Sequence, residues 1–276
     1  MAALAGWLLS ADLGRQKLSL LTLCVVAIYV VGSRLQWRVA QLEKGRWLGL
    51  RAGQSRLGHE AYQLVRLVYY VGIPVVALWR AGRLQELALP TSYVQSWDGN
   101  TLVRLFGVST PGSVARLGVA LAVSGGSLCL LTAVWVWYAH TALCYPARGP
   151  GGLLPPFPWW LAVREALFMQ VFWSFCRSVV RMWTGDRVWV AFASVSLIAV
   201  MWALSPLRLA RLRDPSLAHV EVQEWVLDIW TGVAYLGTSL FWPLVLWHAL
   251  WVWLGGRVLC YLSASQLSSA GGKSSR

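Results

Sequence analysis

The segment Arg164-Glu165-Ala166-Leu167-Phe168-Met169-Gln170-Val171-Phe172-Trp173 lies inside a long apolar run, Trp159 to Val180. A lone carboxylate in hydrocarbon is costly, and the cost must be offset by a partner, a water cavity or protonation. Whether this run spans a membrane therefore decides both the fold and the meaning of Glu165.

The surrounding chain answers the first question. Its 276 residues are 57% hydrophobic and only 13% charged, with mean hydropathy +0.55, against about 25% charged residues in soluble domains. Nineteen tryptophans suit the membrane–water interface, where the ring is buried and its N–H stays wet. The expected fold is all-α, a polytopic membrane helix bundle. In a soluble protein the net charge of +13 would suggest nucleic acid. Here Lys and Arg fall mostly between apolar runs, as topology signals and contacts for anionic lipid headgroups. No zinc knuckle, RNP motif or phosphate loop occurs, so no nucleic-acid partner is expected. Cys24, Cys129, Cys144, Cys176 and Cys260 form no C-x-x-C pair and read as small buried hydrophobes. The first seventeen residues lack the basic start of a signal peptide and read as an interfacial segment before the first span.

A span needs roughly 20 mainly apolar residues. Seven segments approach this: Leu18 to Gly32, His59 to Trp79, Leu117 to Tyr138, Trp159 to Val180, Val188 to Leu204, Trp225 to Leu236 and Leu240 to Leu262. The sixth and seventh, joined by Gly237-Thr238-Ser239, must form an antiparallel hairpin. Residues 1–145 form an N-terminal three-span part and 159–262 a four-helix part. The Pro/Gly linker 146–158 separates them, and a flexible polar tail, 263–276, follows. Arg34, Arg38, Lys44, Arg46, Arg51 and Arg56 follow the first span, and Arg208, Arg211 and Arg213 the fifth. By the positive-inside rule these loops face the cytoplasm with the C-terminus, and the N-terminus lies outside.

Few ionisable groups sit at membrane depth: Arg66, Glu165, Arg177, Asp228 and His248. Arg66 reads as a snorkelling side chain. Arg177 and Arg181 share a helix face, where snorkelling or pairing with Asp186 is the plain expectation. Asp228, one turn after Glu224 on an acidic face of the sixth helix, could pair with an arginine of the fourth. Glu165 and His248 could instead face one cavity, the carboxylate taking a proton from water and the imidazole stabilising an oxyanion. An interhelical hydrogen bond is the plainer use of the same pair. His59, His140 and His219 lie at span ends or in loops. No metal-ligand spacing and no G-x-S-x-G occur, and no cofactor is expected.

Asp228 to Leu254, DIWTGVAYLGTSLFWPLVLWHALWVWL, resembles the C-terminal motif region of the CPBP family, the CAAX-protease and bacteriocin-processing intramembrane endopeptidases. Gly232, Gly237-Thr238-Ser239, Trp242-Pro243 and His248 occupy the motif places in order. REALFMQVFW resembles that family's E-E-x-x-x-R motif. The resemblance covers Trp159 to Leu262. It implies a CPBP-like four-helix part in which Glu165 activates water and two histidines and an asparagine surround the reacting carbonyl. The departures are coordinated. The second Glu position is Ala166 and the Arg position Gln170, so both halves of an i,i+4 pair are gone together. The F-x-x-x-H positions are Ala199 and Ala203, and Val252 replaces the usual Asn. Losing one oxyanion donor costs about 10²–10³ in rate.

Two functions follow as expectations. The first is a catalytically degenerate CPBP-like protein, a scaffold or accessory subunit among membrane-protein partners. The second is an active Glu-dependent endopeptidase using Glu165, His248 and Gln170, with Gln170 or Trp202 supplying the missing donor. A transporter ranks last, since neither an inverted repeat nor paired broken helices are visible.

Overall fold

The computed structural model describes residues 14–43, 56–87, 113–143, 158–238 and 241–271. It is all-helical, with no strand among the described residues. In chain order the helices are α1 (Arg15–Glu43), α2 (Arg56–Leu67), a π turn (Val68–Gly72), α3 (Ile73–Arg80) and a 3-10 turn (Leu84–Leu87). They continue with α4 (Ser113–Leu143), α5 (Trp159–Thr184), α6 (Arg187–Ala203), α7 (Pro206–Arg213), α8 (Pro215–Thr238) and α9 (Phe241–Gly271).

The described residues of the seven expected segments fall on helix, apart from Leu204 in a turn, but the seven-span count is not reached by length and composition. Two described stretches are long and apolar enough to cross a membrane, Arg15–Arg38 with 24 residues and Glu60–Arg80 with 21. A third is reached if α6 and α7, bent by 80° at Leu204-Ser205, count as one broken span. In α4 the described apolar stretch is Leu121–Trp137. Helix α5 carries Arg164, Glu165, Arg177 and Arg181, and α8 carries Glu221, Glu224 and Asp228. Helix α9 is loaded with indoles, which prefer the interfacial zone to the hydrocarbon centre.

Two boundaries are corrected. The sixth helix begins at Pro215, not near Trp225. Its first turns look like a loop because they carry Glu221 and Glu224, whose charges are matched by arginines of α7. The last helix runs to Gly271, through most of the tail expected to be flexible. Ser263 to Ala270 contains no proline, and its Ala, Leu and Gln are good helix formers. The linker 146–158, apart from Pro158, and the turn at Ser239 lie outside the described residues.

Contacts divide the chain into two units. The first holds described residues of Met1–Ser109 and Phe168–Leu207, the second those of Thr110–Leu167 and Arg208–Arg276. Residues of the expected four-helix part thus fall in both, with one boundary inside α5.

In the first unit the segment from α2 to α3 explains its own break. Pro74 has no N–H and its ring crowds the carbonyl four residues back. The chain widens instead, and the Ile73 N–H donates to Val68 O across a π turn. Tyr69 then reaches α1, its hydroxyl donating to Val25 O at 2.9 Å. Tyr69 and Tyr70 pack on Phe172 of α5, at 5.8 and 5.5 Å between ring centres. Arg66 does not simply snorkel. Its guanidinium lies 5.8–5.9 Å from the rings of Tyr62, Tyr70 and Phe168, within cation–π range. The turn from α5 to α6 needs two specific residues. Gly185 takes φ +68°, which costs a side-chain-bearing residue about 1–2 kcal/mol. Asp186 then caps α6 by accepting from the Val188 N–H at 2.9 Å.

In the second unit α4 packs against α8 and α9. Trp230 is fully buried and donates from Nε1 to Ser124 O at 3.0 Å. Trp135 and Trp251 meet at 5.8 Å. Gly255 of α9 lets Gln223 of α8 come close, and a methyl group there would meet the Gln223 amide. Exposed apolar side chains recur at helical spacing on both α8 (Ile229, Val233, Leu236) and α9 (Leu246, Leu250, Leu254). Such stripes suit acyl chains, since soluble monomers seldom expose contiguous apolar surface of this kind.

Candidate functional site

Helix α5 positions two of the three expected site residues. Glu165 stands two turns in, half-buried, and its Oε1 is engaged by the Arg164 guanidinium at 2.9 Å. Gln170 is fully buried and accepts from Arg177 Nη2 at 3.4 Å; the same nitrogen donates to Ser174 Oγ at 3.2 Å. Spacings of three, four and seven place Gln170, Ser174 and Arg177 on one helix face. Arg177 is itself buried, against the expectation that it snorkels. Five residues separate Glu165 from Gln170, which turns them about 140° apart around the axis. They do not share a face. Glu165 belongs to the second unit and Gln170 to the first.

His248 is buried on α9, in the same unit as Glu165. Its neighbours on the inward face are Leu244, Val245 and Trp251, all buried. Ala166, at the second-Glu position, is fully buried, and Trp202 is buried in α6.

The other expected pairings are redrawn. Arg181 pairs not with Asp186 but with Glu86, at 3.2 Å. Glu224, one turn before Asp228 on the acidic α8 face, binds Arg208 of α7. Asp228 is buried. Cys176 is buried as expected, whereas Cys24 and Cys129 face outward. Cys144 and the side chain of Cys260 lie outside the described residues, as do the side chains of His59 and His219.

The most concentrated ionic constellation went unrecognised in the sequence. Glu221, with its side chain only 2% exposed, accepts from Arg208 at 3.0 Å and from Arg211 at 3.1 Å. Arg208 reaches on to Glu224 at 2.6 Å. The available signal was charge complementarity across Asp214-Pro215: an R-x-x-R helix followed by an E-x-x-E helix. The loop reading of residues 215–224 hid it.

Chemically, the described residues offer acid–base groups but no metal centre: no group of three or more His, Cys, Asp or Glu among them could hold an ion. Glu165 is engaged by a guanidinium, Gln170 is a hydrogen-bond acceptor within its own helix, and His248 is buried on α9. Neither a family model, nor a curated protein, nor a solved structure matches the chain.

Proposed function

We propose that this is an integral membrane protein related to the CPBP endopeptidases in which the hydrolytic site has been retired, and which serves as a scaffold or accessory subunit of a larger membrane complex. The observation that carries the reading is how the substituted motif positions are used. Ala166 and Gln170 are fully buried, and Gln170 is bound by Arg177. Both stand as packing and internal hydrogen bonding where the family motif has a charged pair.

In this reading seven crossings are made by α1, α2 with α3, α4, α5, α6, α8 and α9. Helix α8 has 24 residues and is about 36 Å long, enough for a hydrocarbon core of about 30 Å. The 17 residues of α6 are at the lower limit. The N-terminus lies outside and the C-terminus in the cytoplasm. The partners are anionic lipid and other membrane proteins.

The alternative is an active Glu165-dependent endopeptidase with His248 as electrostatic partner. It is favoured by the incomplete burial of Glu165, 17% exposed at the side chain, which leaves room for water. Cleavage of a membrane-bound reporter separates the two. Equal cleavage by the native chain and by Glu165→Gln supports the retired site. Cleavage abolished by Glu165→Gln in a chain that still inserts and folds would overturn it. Purification in mild detergent should recover stoichiometric membrane partners.

A further inference from the structure

One end of the first unit collects cations around a fixed indole. Arg181 at the end of α5 binds Glu86 at 3.2 Å, and Arg83 approaches the same carboxylate at 3.8 Å. Two residues on, Trp183 Nε1 donates to Ser19 Oγ in the first turns of α1, at 2.7 Å. The guanidinium of Arg15 stands 5.9 Å over the Trp183 ring. The turn at Gly185-Asp186 then delivers Arg187 at the start of α6. These contacts bring together the starts of α1 and α6, the end of α5 and the chain just after α3.

The charge there is unbalanced. Arg15, Lys17, Arg80, Arg83, Arg181 and Arg187 stand against Glu86 and Asp186, six cations to two carboxylates among the described residues. Arg15 and Arg187 are both exposed. The same end carries exposed Trp79, Trp183 and Trp189. Immediately along the same helices the surface turns apolar, with exposed Leu20 and Leu23 on α1 and Val188 and Phe192 on α6. Cationic groups, then indoles, then hydrocarbon side chains is the order in which a phospholipid presents phosphate, glycerol and acyl chain.

We propose that this end of the first unit is a docking site for an anionic phospholipid, with the headgroup phosphate held by Arg15 and Arg187 and the acyl chains lying along Leu20, Leu23 and Phe192. The site rests on the membrane-spanning reading. It adds to it a specific place and a headgroup preference. Trp183 is the pivot, since its hydrogen bond to Ser19 holds the indole on which Arg15 lies and keeps two helix ends at fixed separation.

The test uses the full chain in vesicles of phosphatidylcholine containing a minor fraction of phosphatidylglycerol. The protein is extracted in mild detergent, and the two lipids that co-purify are quantified. The native chain should enrich phosphatidylglycerol over its share of the vesicle. Each charge removed by Arg15→Gln and Arg187→Gln should reduce that enrichment by about fivefold. Arg15→Lys with Arg187→Lys should retain it. Arg34→Gln with Arg38→Gln, at the far end of α1, should cost less enrichment than either substitution at the site. No enrichment by a stably inserted native chain would overturn the site alone, as would equal loss in the Arg34 and Arg38 variant. Release of the native chain by alkaline carbonate would overturn the membrane reading and the site with it.

Discussion

Replacing Arg208 by Ala should destabilise the second unit far more than replacing Arg211. Both guanidiniums reach the Glu221 carboxylate at nearly equal distance, 3.0 and 3.1 Å, so distance does not distinguish them. Burial does. The Arg208 side chain is 13% exposed and serves Glu221 and Glu224 together, whereas Arg211 is 49% exposed. Removing one partner of a buried pair leaves an uncompensated charge and costs about 3–5 kcal/mol. Arg211 still compensates Glu221 in Arg208→Ala, which brings the expected loss to about 2–4 kcal/mol. An exposed pair contributes about 0–1 kcal/mol, and Arg211→Ala should lie in that range. Reversible unfolding in mixed detergent micelles containing increasing dodecyl sulfate measures both. Adding Glu221→Ala to Arg208→Ala should recover part of the loss, because the stranded carboxylate is then gone. Equal destabilisation by the two arginine variants, or no recovery in the double variant, would refute the argument that burial controls the strength of this clamp.

Three further outcomes are expected in the same unfolding assay. Gly185→Ala should cost about 1–2 kcal/mol, because the backbone there is left-handed at φ +68° with open space around the α-carbon, so strain rather than collision is measured. Tyr69→Phe should cost about 1 kcal/mol through the lost hydrogen bond to Val25 O, with the ring contacts to Phe172 retained. Gln170→Leu should cost about 1–3 kcal/mol by removing an acceptor from the buried Arg177, and Gln170→Glu, which restores an acceptor, should lose less.

Much of the architecture is visible in the pattern of apolar runs. A helix long enough to bury its own backbone needs only composition and the absence of interior breakers, so each of the seven apolar segments lies on helix over almost all of its described residues. Several of the failures share one cause. A charge taken locally marks a loop or a snorkelling end, whereas its partner lies in another element. Glu221 and Glu224 disguised the start of α8 because their arginines belong to α7. Arg66 looked like an interfacial side chain because the rings beneath it include Phe168, about a hundred residues on. Glu165 and Gln170 looked like neighbours in one motif, yet the helical turn sends them in different directions.

The sequence by itself determined the helical class, the near-positions of the long helices and the abundance of interfacial indole, because these depend on each segment's own composition. Only the tertiary structure decided which charges are matched. Arg181 crossed to Glu86, and Arg208 bridged two carboxylates. The cost of a buried charge is set by the groups folded around it, and a one-dimensional pattern carries no record of that distance.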